Sequence, residues 1–303
     1  MSLRERLASG GFAVTAEISP PRGASTQPIT KTAASLKDWV DAVNVTDNQG
    51  SNVRLASWAG SLAVLSTGLE PVMQMTCRDR NRIALQSDLL GASALGIRNI
   101  LVMTGDHPKF GDHPGAKPVF DLDSVQLLWT LRTMRDQHVL LSGRKLDPAP
   151  DCFLGAVENP FAPPVEFRAD RLGKKVAAGA QFVQTQFVFD VPAFARWMAQ
   201  VRDLGLTDQC AILAGVGAVR SVKALDYMHS HVPGVEVPDH IFQRLRSVPP
   251  GHQAKEGITL AAEIVQQVAE IAGVAGVHLL VAGNEQAVPE ILQNAGTRVN
   301  DGR

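Results

Sequence analysis

The sequence has little of what several classes of protein require. Its three cysteines include no Cys-x-x-Cys pair, which predicts neither a disulfide framework nor a cysteine-ligated zinc or iron–sulfur site and suits a reducing cytoplasm. Lys+Arg 29 against Asp+Glu 30 gives a net charge of -1, without the basic excess typical of nucleic-acid binding. No apolar run approaches the roughly 18 residues that span a membrane, and the N-terminal apolar stretch is too short for a signal peptide. We therefore expect a cytoplasmic protein with no nucleic-acid or membrane partner.

What the sequence does contain is an alternation of short, β-branched apolar runs with longer amphipathic stretches, the pattern of βα units. Eight runs predict strands, and they cover residues 12–18, 42–47, 71–77, 99–105, 153–159, 182–189, 211–217 and 276–283. Eight strands, each followed by helix, describe a closed barrel more naturally than an open sheet. Because no linker or charge block divides the chain, we predict one α/β domain over residues 1–303, a single (β/α)8 TIM barrel.

Polar residues recur on one face of several predicted strands. Residues two apart on a strand share a face, so the apolar Val14, Ala16 and Ile18 leave Thr15 and Glu17 on the opposite side. The same alternation groups further polar residues, which are Asn44, Thr46, Gln74, Thr76, Gln184 and Gln186. A barrel interior is ordinarily apolar, and an unpartnered buried amide or carboxylate costs about 1 to 3 kcal/mol. A satisfied internal hydrogen bond explains any one of them equally well, but their accumulation predicts a polar ligand.

Two carboxylates at strand ends are candidates for catalysis. Glu17 ends the first run and is followed by the rigid Pro20-Pro21, so we expect it at the barrel mouth. Partial desolvation there would raise its proton affinity, as a general acid working near neutral pH requires. Asp106 follows Gly105 at the end of the fourth run, where the absent side chain would let the backbone approach a ligand.

Two further patterns have simpler explanations than ligand binding. The loop 105–118 holds His107 and His113 beside aspartates, but a Gly/Pro-rich loop fixes no coordination geometry, and we predict no metal site. Gly215 and Gly217 end the seventh run, where barrels often bind phosphate through backbone N–H groups. The rest of a dinucleotide-binding fingerprint is missing there, so this pattern carries little weight.

A set of ordered segments carries a resemblance to a known family. The segments are AEISPPRG, VNVTD, QMTC, TGDHP, GKKVAAGAQFVQTQFVFD and AGVG. Together they resemble the catalytic barrel of methylenetetrahydrofolate reductases, over nearly the whole chain. The resemblance implies an oxidoreductase of one-carbon metabolism and methionine biosynthesis that reduces 5,10-methylenetetrahydrofolate to 5-methyltetrahydrofolate. Hydride would pass through a bound flavin, usually FAD, with NAD(P)H as the donor.

The resemblance also implies roles for individual residues. Glu17 resembles the acid that assists opening of the folate's imidazolidine ring, and Asp106 resembles the carboxylate between pterin and flavin. Gln186 resembles the amide that binds the pterin, and Gln184 is a second substrate-binding candidate. Lys175 matches a flavin-contacting position and would neutralise phosphate. The candidates for cofactor contact are Thr46, Gln74, Thr104, Gly105, Asp106, Asn159 and Lys175.

The sequence departs from the family pattern on the flavin side of the site. Gln74 stands where many members have histidine, Thr104 where they have arginine, and Asn159 where they have histidine before proline. Fewer cationic side chains weaken contacts to phosphate, which leaves FMN as an alternative to FAD.

Electron supply and assembly stay open at this stage. The chain resembles a branch in which the reductase works beside a partner subunit, so such a subunit is an alternative electron donor, and a homo-oligomer is compatible with the sequence. Two rival functions are a flavin-free folate- or corrinoid-linked methyltransferase barrel and a non-catalytic folate-binding subunit of a complex.

Overall fold

A computed structural model of the chain describes residues 1–232, 234–281 and 283–297 and shows a closed barrel of eight strands in sequence order. The strands, all parallel to their neighbours, are β1 Ala13–Ile18, β2 Ala42–Val45, β3 Glu70–Thr76, β4 Asn99–Met103, β5 Phe153–Glu158, β6 Phe182–Phe187, β7 Ala211–Val216 and β8 Val274–Leu279. Each predicted run overlaps one strand, so the predicted (β/α)8 TIM barrel is confirmed. Ala282, in the last predicted run, lies outside the described residues.

Helices follow the strands and cover the outside of the barrel. The α-helices are α1 Leu3–Ala8, α2 Gln27–Leu36, α3 Ser57–Leu65, α4 Arg82–Ala94, α5 Ser124–Asp136, α6 Arg168–Ala178, α7 Val191–Asp203, α8 Val222–His231, α9 Asp239–Arg246, α10 Gln253–Ala269 and α11 Val288–Ala295. Short 3-10 helices lie at Gln49–Ser51, Pro108–Phe110, Val165–Phe167, Pro250–His252 and Glu285–Ala287. Within the described ranges, none of the helices combines the length and the apolar character that a membrane crossing requires.

Side-chain caps set the starting points of several helices. Asn81 accepts hydrogen bonds from the backbone N–H groups of Ile83 and Ala84, at the start of α4. Asp123 accepts from the N–H of Gln126, whose side chain accepts in turn from the N–H of Asp123. Such caps satisfy N–H groups that a helix leaves unpaired in its first turn. They therefore fix where each helix begins after its strand, and with it the shape of the loop between them.

The alternation of apolar and polar residues predicted for the strands is present in the barrel. Val14, Ala16 and Ile18 pack in the layer between strands and helices. Thr15 faces the lumen, where it contacts His278 of β8. Glu17 lies farther along the same face of β1, at the carboxyl end of the strands.

Apolar side chains close the amino-terminal end of the barrel. Leu3 of α1 is fully buried there. It packs with inward-facing strand residues, which are Ala13, Ala42, Val72, Leu101, Phe153, Phe182 and Leu213. Glu70 fixes α1 in place, because its Oε2 accepts a hydrogen bond of 2.5 Å from the Leu3 N–H. The lumen is therefore filled at this end.

Candidate active site at the carboxyl ends of the strands

A cavity of about 430 Å³ lies at the carboxyl ends of the strands, within the size range of sites for small molecules and cofactors. The structure brings to its wall every residue that the sequence predicted for the site, namely Glu17, Thr46, Gln74, Thr104, Gly105, Asp106, Asn159, Lys175, Gln184 and Gln186. This is the position at which TIM-barrel enzymes carry their chemistry. The roles of the individual residues stay predictions.

The floor of the cavity is a buried network of polar side chains from four strands. The amides of Gln184 and Asn44 pair with each other, at 2.6 Å (Asn44 Nδ2 to Gln184 Oε1) and 3.1 Å (Gln184 Nε2 to Asn44 Oδ1). Gln184 Nε2 also donates to Thr15 Oγ1 at 3.1 Å, and Thr15 Oγ1 lies 2.9 Å from His278 Nδ1. Both amide hydrogens of Gln184 are therefore used within the protein. The substrate contact predicted for Gln184 is limited to its oxygen.

His278 was missed in the sequence analysis, although the sequence carried a signal for it. In the run GVHLLVAG, His278 stands between Val277 and Leu279, and both of these are buried in the outer layer. Alternation alone therefore places His278 in the lumen. Burial lowers the pKa of its imidazole to about 3, so His278 is neutral near neutral pH.

A bulge at the end of β6 shapes the wall beside the floor. The register between β6 and β7 shifts between Gln184 and Phe187, and the Gly215 N–H donates to Thr185 Oγ1 at 2.9 Å. A Cβ on Gly215 would lie 2.2 Å from the Thr185 carbonyl oxygen, so glycine is needed there for close contact with the bulge, independently of any phosphate. Gln186 Oε1 accepts from the Phe187 N–H at 3.1 Å. Among the described residues its Nε2 has no partner, which leaves two hydrogens for a ligand.

Two other polar groups on the wall lack partners in the described part of the chain. Thr46 Oγ1 is buried and makes no hydrogen bond. Gln74 is 8% exposed, and its side-chain amide makes no hydrogen bond to the described residues, while its backbone carbonyl accepts from the Ser57 hydroxyl at 2.8 Å. Buried polar groups are nearly always hydrogen-bonded in native proteins. A polar ligand in the cavity would supply the missing hydrogen-bond partners of Thr46 Oγ1 and the Gln74 amide.

Lys175 is already paired. Its Nζ lies 2.7 Å from Glu158 Oε2 and also donates to the Val157 carbonyl, and both ionic side chains are buried. Desolvation lowers the pKa of Lys175, and the attraction of Glu158 opposes that shift. Glu158 thus compensates the positive charge that the sequence assigned to phosphate binding. Arg168, whose Nη1 lies 3.9 Å from Glu158 Oε1, and the exposed Arg171 line the same cavity and were missed.

The loop that carries Asp106 is held from below. The backbone carbonyl of Asp106 accepts hydrogen bonds from Ser51 Oγ at 2.9 Å and from Nη1 of the buried Arg78 at 3.5 Å. Asp106 itself is exposed at the mouth of the cavity. Gly105 has φ +90, and a Cβ there would lie 3.0 Å from Thr76 Cβ. Thr76 therefore fills the direction that a side chain would take, while Gly105 itself lies on the cavity wall, and the approach of its backbone to a ligand stays a prediction.

Two polar side chains of the loop 105–118 accept hydrogen bonds from backbone N–H groups. His107 Nδ1 accepts from the Lys109 N–H at 3.1 Å, and the carboxylate of the neighbouring Asp112 accepts from the Val53 N–H. Within residues 1–232, 234–281 and 283–297, no group of three or more histidine, cysteine, aspartate or glutamate side chains is placed to hold a metal ion.

Comparison with known proteins agrees with this arrangement. The family model described as methylenetetrahydrofolate reductase matches residues 2–296. A probable methylenetetrahydrofolate reductase (NADPH) of Caenorhabditis elegans is 25% identical over 76% of this chain and 33% of its own length. A probable methylenetetrahydrofolate reductase (NADH) of Oryza sativa subsp. japonica is 25% identical over 75% of this chain and 38% of its own length. The 5,10-methylenetetrahydrofolate reductase of Pectobacterium carotovorum subsp. carotovorum is 26% identical over 76% of this chain and 72% of its own length. The chain thus spans only about a third of the length of the two eukaryotic relatives.

Solved structures share the fold at low sequence identity. An uncharacterized protein from Clostridium thermocellum that binds two copies of 5-methyl-5,6,7,8-tetrahydrofolic acid superposes with a TM-score of 0.65 and 12% identity, over 95% of this chain and 97% of that one. A 2,3-dimethylmalate lyase superposes with a TM-score of 0.52 and 12% identity, over 99% and 89%. At these identities the likeness is one of fold.

Proposed function

The chain belongs to the methylenetetrahydrofolate reductase family, and from this we propose that it reduces 5,10-methylenetetrahydrofolate to 5-methyltetrahydrofolate with a bound flavin, in one-carbon metabolism and methionine biosynthesis. The observation that carries the proposal is the single cavity in which Glu17, Asp106 and Gln186 meet the candidate flavin contacts. A folate-binding subunit without catalysis would not need a buried carboxylate on that wall.

The groups on the wall fit a flavin. Thr46 Oγ1 is buried without a partner among the described residues, and the amide of Gln74, a residue that is 8% exposed, makes no hydrogen bond to them either, as expected of groups that bind the polar edge of a heterocycle. Leu101, Met103 and Leu280 add apolar surface suited to a flat ring. When bound, the flavin supplies the hydride chemistry, while the barrel supplies orientation and electrostatics.

The charges on the wall bear on which flavin is bound. Lys175 is compensated by Glu158, so the cationic side chains for a flavin phosphate are Arg168 and the exposed Arg171. Thr104 and Asn159 contribute no charge. We propose FAD, as in the family at large, with FMN as the alternative that two arginines can also serve.

The substrate side of the cavity carries the proton chemistry. Glu17 is 6% exposed at the end of β1, on the wall of the cavity, where its carboxyl group can act on a bound substrate. We assign to it the proton that assists opening of the imidazolidine ring. Gln186 donates a hydrogen bond from its Nε2 to the pterin. Asp106, at the exposed mouth, accepts a hydrogen bond from the pterin. These contacts hold the substrate while the ring opens.

Several aspects of the cellular setting belong to the same proposal. NAD(P)H is the expected electron donor, and an electron-delivering partner subunit is the alternative; assembly of the chain into a homo-oligomer is compatible with either. We place the protein in the cytoplasm, because its three cysteines are all unpaired thiols.

An anaerobic absorption experiment tests the proposal. The purified protein is expected to show a flavin band that bleaches with NADH or NADPH and returns when methylenetetrahydrofolate is added. A flavin that ignores both nucleotides, but is oxidised by the folate after chemical reduction, would identify a partner as the electron donor. Protein that binds no flavin, even when FAD or FMN is added, would refute flavin-dependent reduction and favour the methyltransferase or the binding subunit.

A further inference from the structure

His278 is the one histidine on the cavity wall within the described residues, and it lies on the floor rather than at the mouth. Its neighbour across the β1–β8 pairing is Thr15, two residues before Glu17 on the same face of β1. His278 therefore lies one layer below the candidate acid. The imidazole is buried, and its Nε2 has no hydrogen-bond partner among the described residues.

The hydrogen bonds of the floor favour one of the two imidazole nitrogens as the carrier of the proton. Gln184 Nε2 donates to Thr15 Oγ1, so the hydroxyl acts there as an acceptor and keeps its own hydrogen to donate. Two acceptors lie near it: His278 Nδ1 at 2.9 Å and the Val277 carbonyl oxygen at 3.4 Å. Donation to Nδ1 at 2.9 Å has the normal length of a hydroxyl hydrogen bond, about 2.5 to 3.0 Å. In the other tautomer Nδ1–H would donate to the second lone pair of Oγ1, and the hydroxyl would be left with only the longer contact of 3.4 Å to the Val277 carbonyl, so the geometry favours donation to Nδ1. A neutral imidazole that accepts at Nδ1 carries its hydrogen on Nε2.

We propose that the network Asn44–Gln184–Thr15 holds His278 as the Nε2–H tautomer, and that this N–H is a hydrogen-bond donor to the ligand at the floor of the cavity. His278 is thereby a ligand-contacting residue and Thr15 a positioning residue that acts through it. The low pKa of His278 is consistent with this, since a neutral ring donates from one nitrogen only.

The chemistry of the donor defines what it binds. A neutral N–H at the bottom of a pocket selects an acceptor atom, such as a carbonyl oxygen or an unprotonated ring nitrogen, and disfavours an ammonium or an amide N–H in the same place. Beside the His278 N–H, Gln184 can offer the ligand only a lone pair of its amide oxygen, because both of its amide hydrogens are bonded within the protein. The inference rests on the proposed function for the identity of that ligand, a heterocycle with acceptor atoms on its edge.

Nitrogen NMR of protein labelled with ¹⁵N-histidine tests the tautomer directly in the unliganded protein. The expected spectrum of His278 shows a protonated, pyrrole-type Nε2 and an unprotonated, pyridine-type Nδ1. In Thr15→Val, which has the same shape without the hydroxyl, this bias should weaken, and Thr15→Ser should restore it. A pyrrole-type Nδ1 in the wild type would overturn the proposal.

Two substitutions of His278 test the contact with the ligand. Glutamine places its amide group near the position of Nε2, whereas asparagine, one carbon shorter, reaches only the position of Nδ1. We expect His278→Asn to weaken 5-methyltetrahydrofolate or FMN binding roughly five- to tenfold, and His278→Gln to lose clearly less. The His278 Nε2 resonance of the wild type should shift with whichever of the two probes it contacts.

The outcomes separate this inference from the proposed function. If the wild type binds flavin and reduces the folate, but neither probe shifts Nε2 and both variants bind normally, the inference fails while the function stands. If the wild type binds flavin and 5-methyltetrahydrofolate without any reductase activity, a shifted Nε2 would still support the contact while the function fails. Should neither probe bind, both are wrong.

Discussion

Lys175 Nζ lies 2.7 Å from Glu158 Oε2, and this ion pair joins α6 to the end of β5 behind the cavity wall. Both side chains are almost completely buried. Removing either partner of such a buried pair destabilises the protein, because the remaining charge is left without a counter-charge in a medium of low polarity. The Lys175–Glu158 pair therefore lines the cavity and also holds α6 against β5 behind the cavity wall.

Glu158→Gln should therefore lower the free energy of unfolding by about 3 to 5 kcal/mol, since it leaves a buried lysine without its counter-charge. Urea denaturation measures the change. Arg4 and Asp151 form a matched control, because their contact of 3.1 Å lies at the surface. Asp151→Asn should cost less than about 1 kcal/mol. Equal losses in the two variants would contradict the assignment of a buried, charge-dependent pair.

Glu17→Gln should abolish reduction of the folate while leaving reduction of the flavin by its electron donor nearly unchanged. The amide has the same shape but no proton to release. Anaerobic stopped-flow absorption separates the two half-reactions, and Glu270→Gln, at an exposed carboxylate outside the cavity, serves as the control. If both half-reactions were lost together, the acid role would have to be given up in favour of a structural one.

Gln186→Ala should weaken 5-methyltetrahydrofolate binding by about 1 to 3 kcal/mol, because it removes a half-buried donor that no described residue uses. Titration calorimetry measures the affinity. Gln209→Ala removes an exposed glutamine before β7, outside the cavity, and should leave the affinity unchanged. An affinity of Gln186→Ala equal to that of the wild type would show that the pterin lies elsewhere.

The buried His278 predicts that the protein loses stability in acid. Its pKa is about 3 in the folded protein against 6.5 for an unperturbed histidine, so the unfolded chain binds the extra proton between these values. The contribution is fully present above pH 6.5 and falls as the pH drops from there towards 3, by up to about 1.4 kcal/mol per pH unit. Urea denaturation between about pH 4 and pH 8 measures the slope. His278→Asn should show a distinctly shallower slope than the wild type, and identical slopes would mean that His278 is protonated in the folded state.

The fold and most of the cavity wall could be predicted because both follow from local patterns. Apolar runs of strand length gave the barrel, and the period of two placed Glu17 and Gln186 on the lumen side. Motifs at the strand ends supplied the remaining residues, since all strands of a parallel barrel end on the same face. His278 was predictable by the same period and was overlooked.

What the sequence could not show are the pairings between distant residues. Glu158 meets Lys175 because α6 turns back along β5, so the charge of Lys175 is balanced by a residue 17 positions away. Asn44 pairs with the amide of Gln184 across a separation of 140 residues. Neither contact leaves a local signature, and each changes what the predicted residue can still offer to a ligand.

The interior of the barrel has an apolar layer at Leu3, a hydrogen-bonded layer at Gln184 and a wall at the mouth with unengaged polar groups. Thr46 and Gln74 make no side-chain hydrogen bonds to the described protein, so replacing either side chain breaks no hydrogen bond within it. At these two positions, ligand preference is therefore separable from the hydrogen bonds that support the fold. New specificity can be selected at the mouth while the two layers beneath it stay intact.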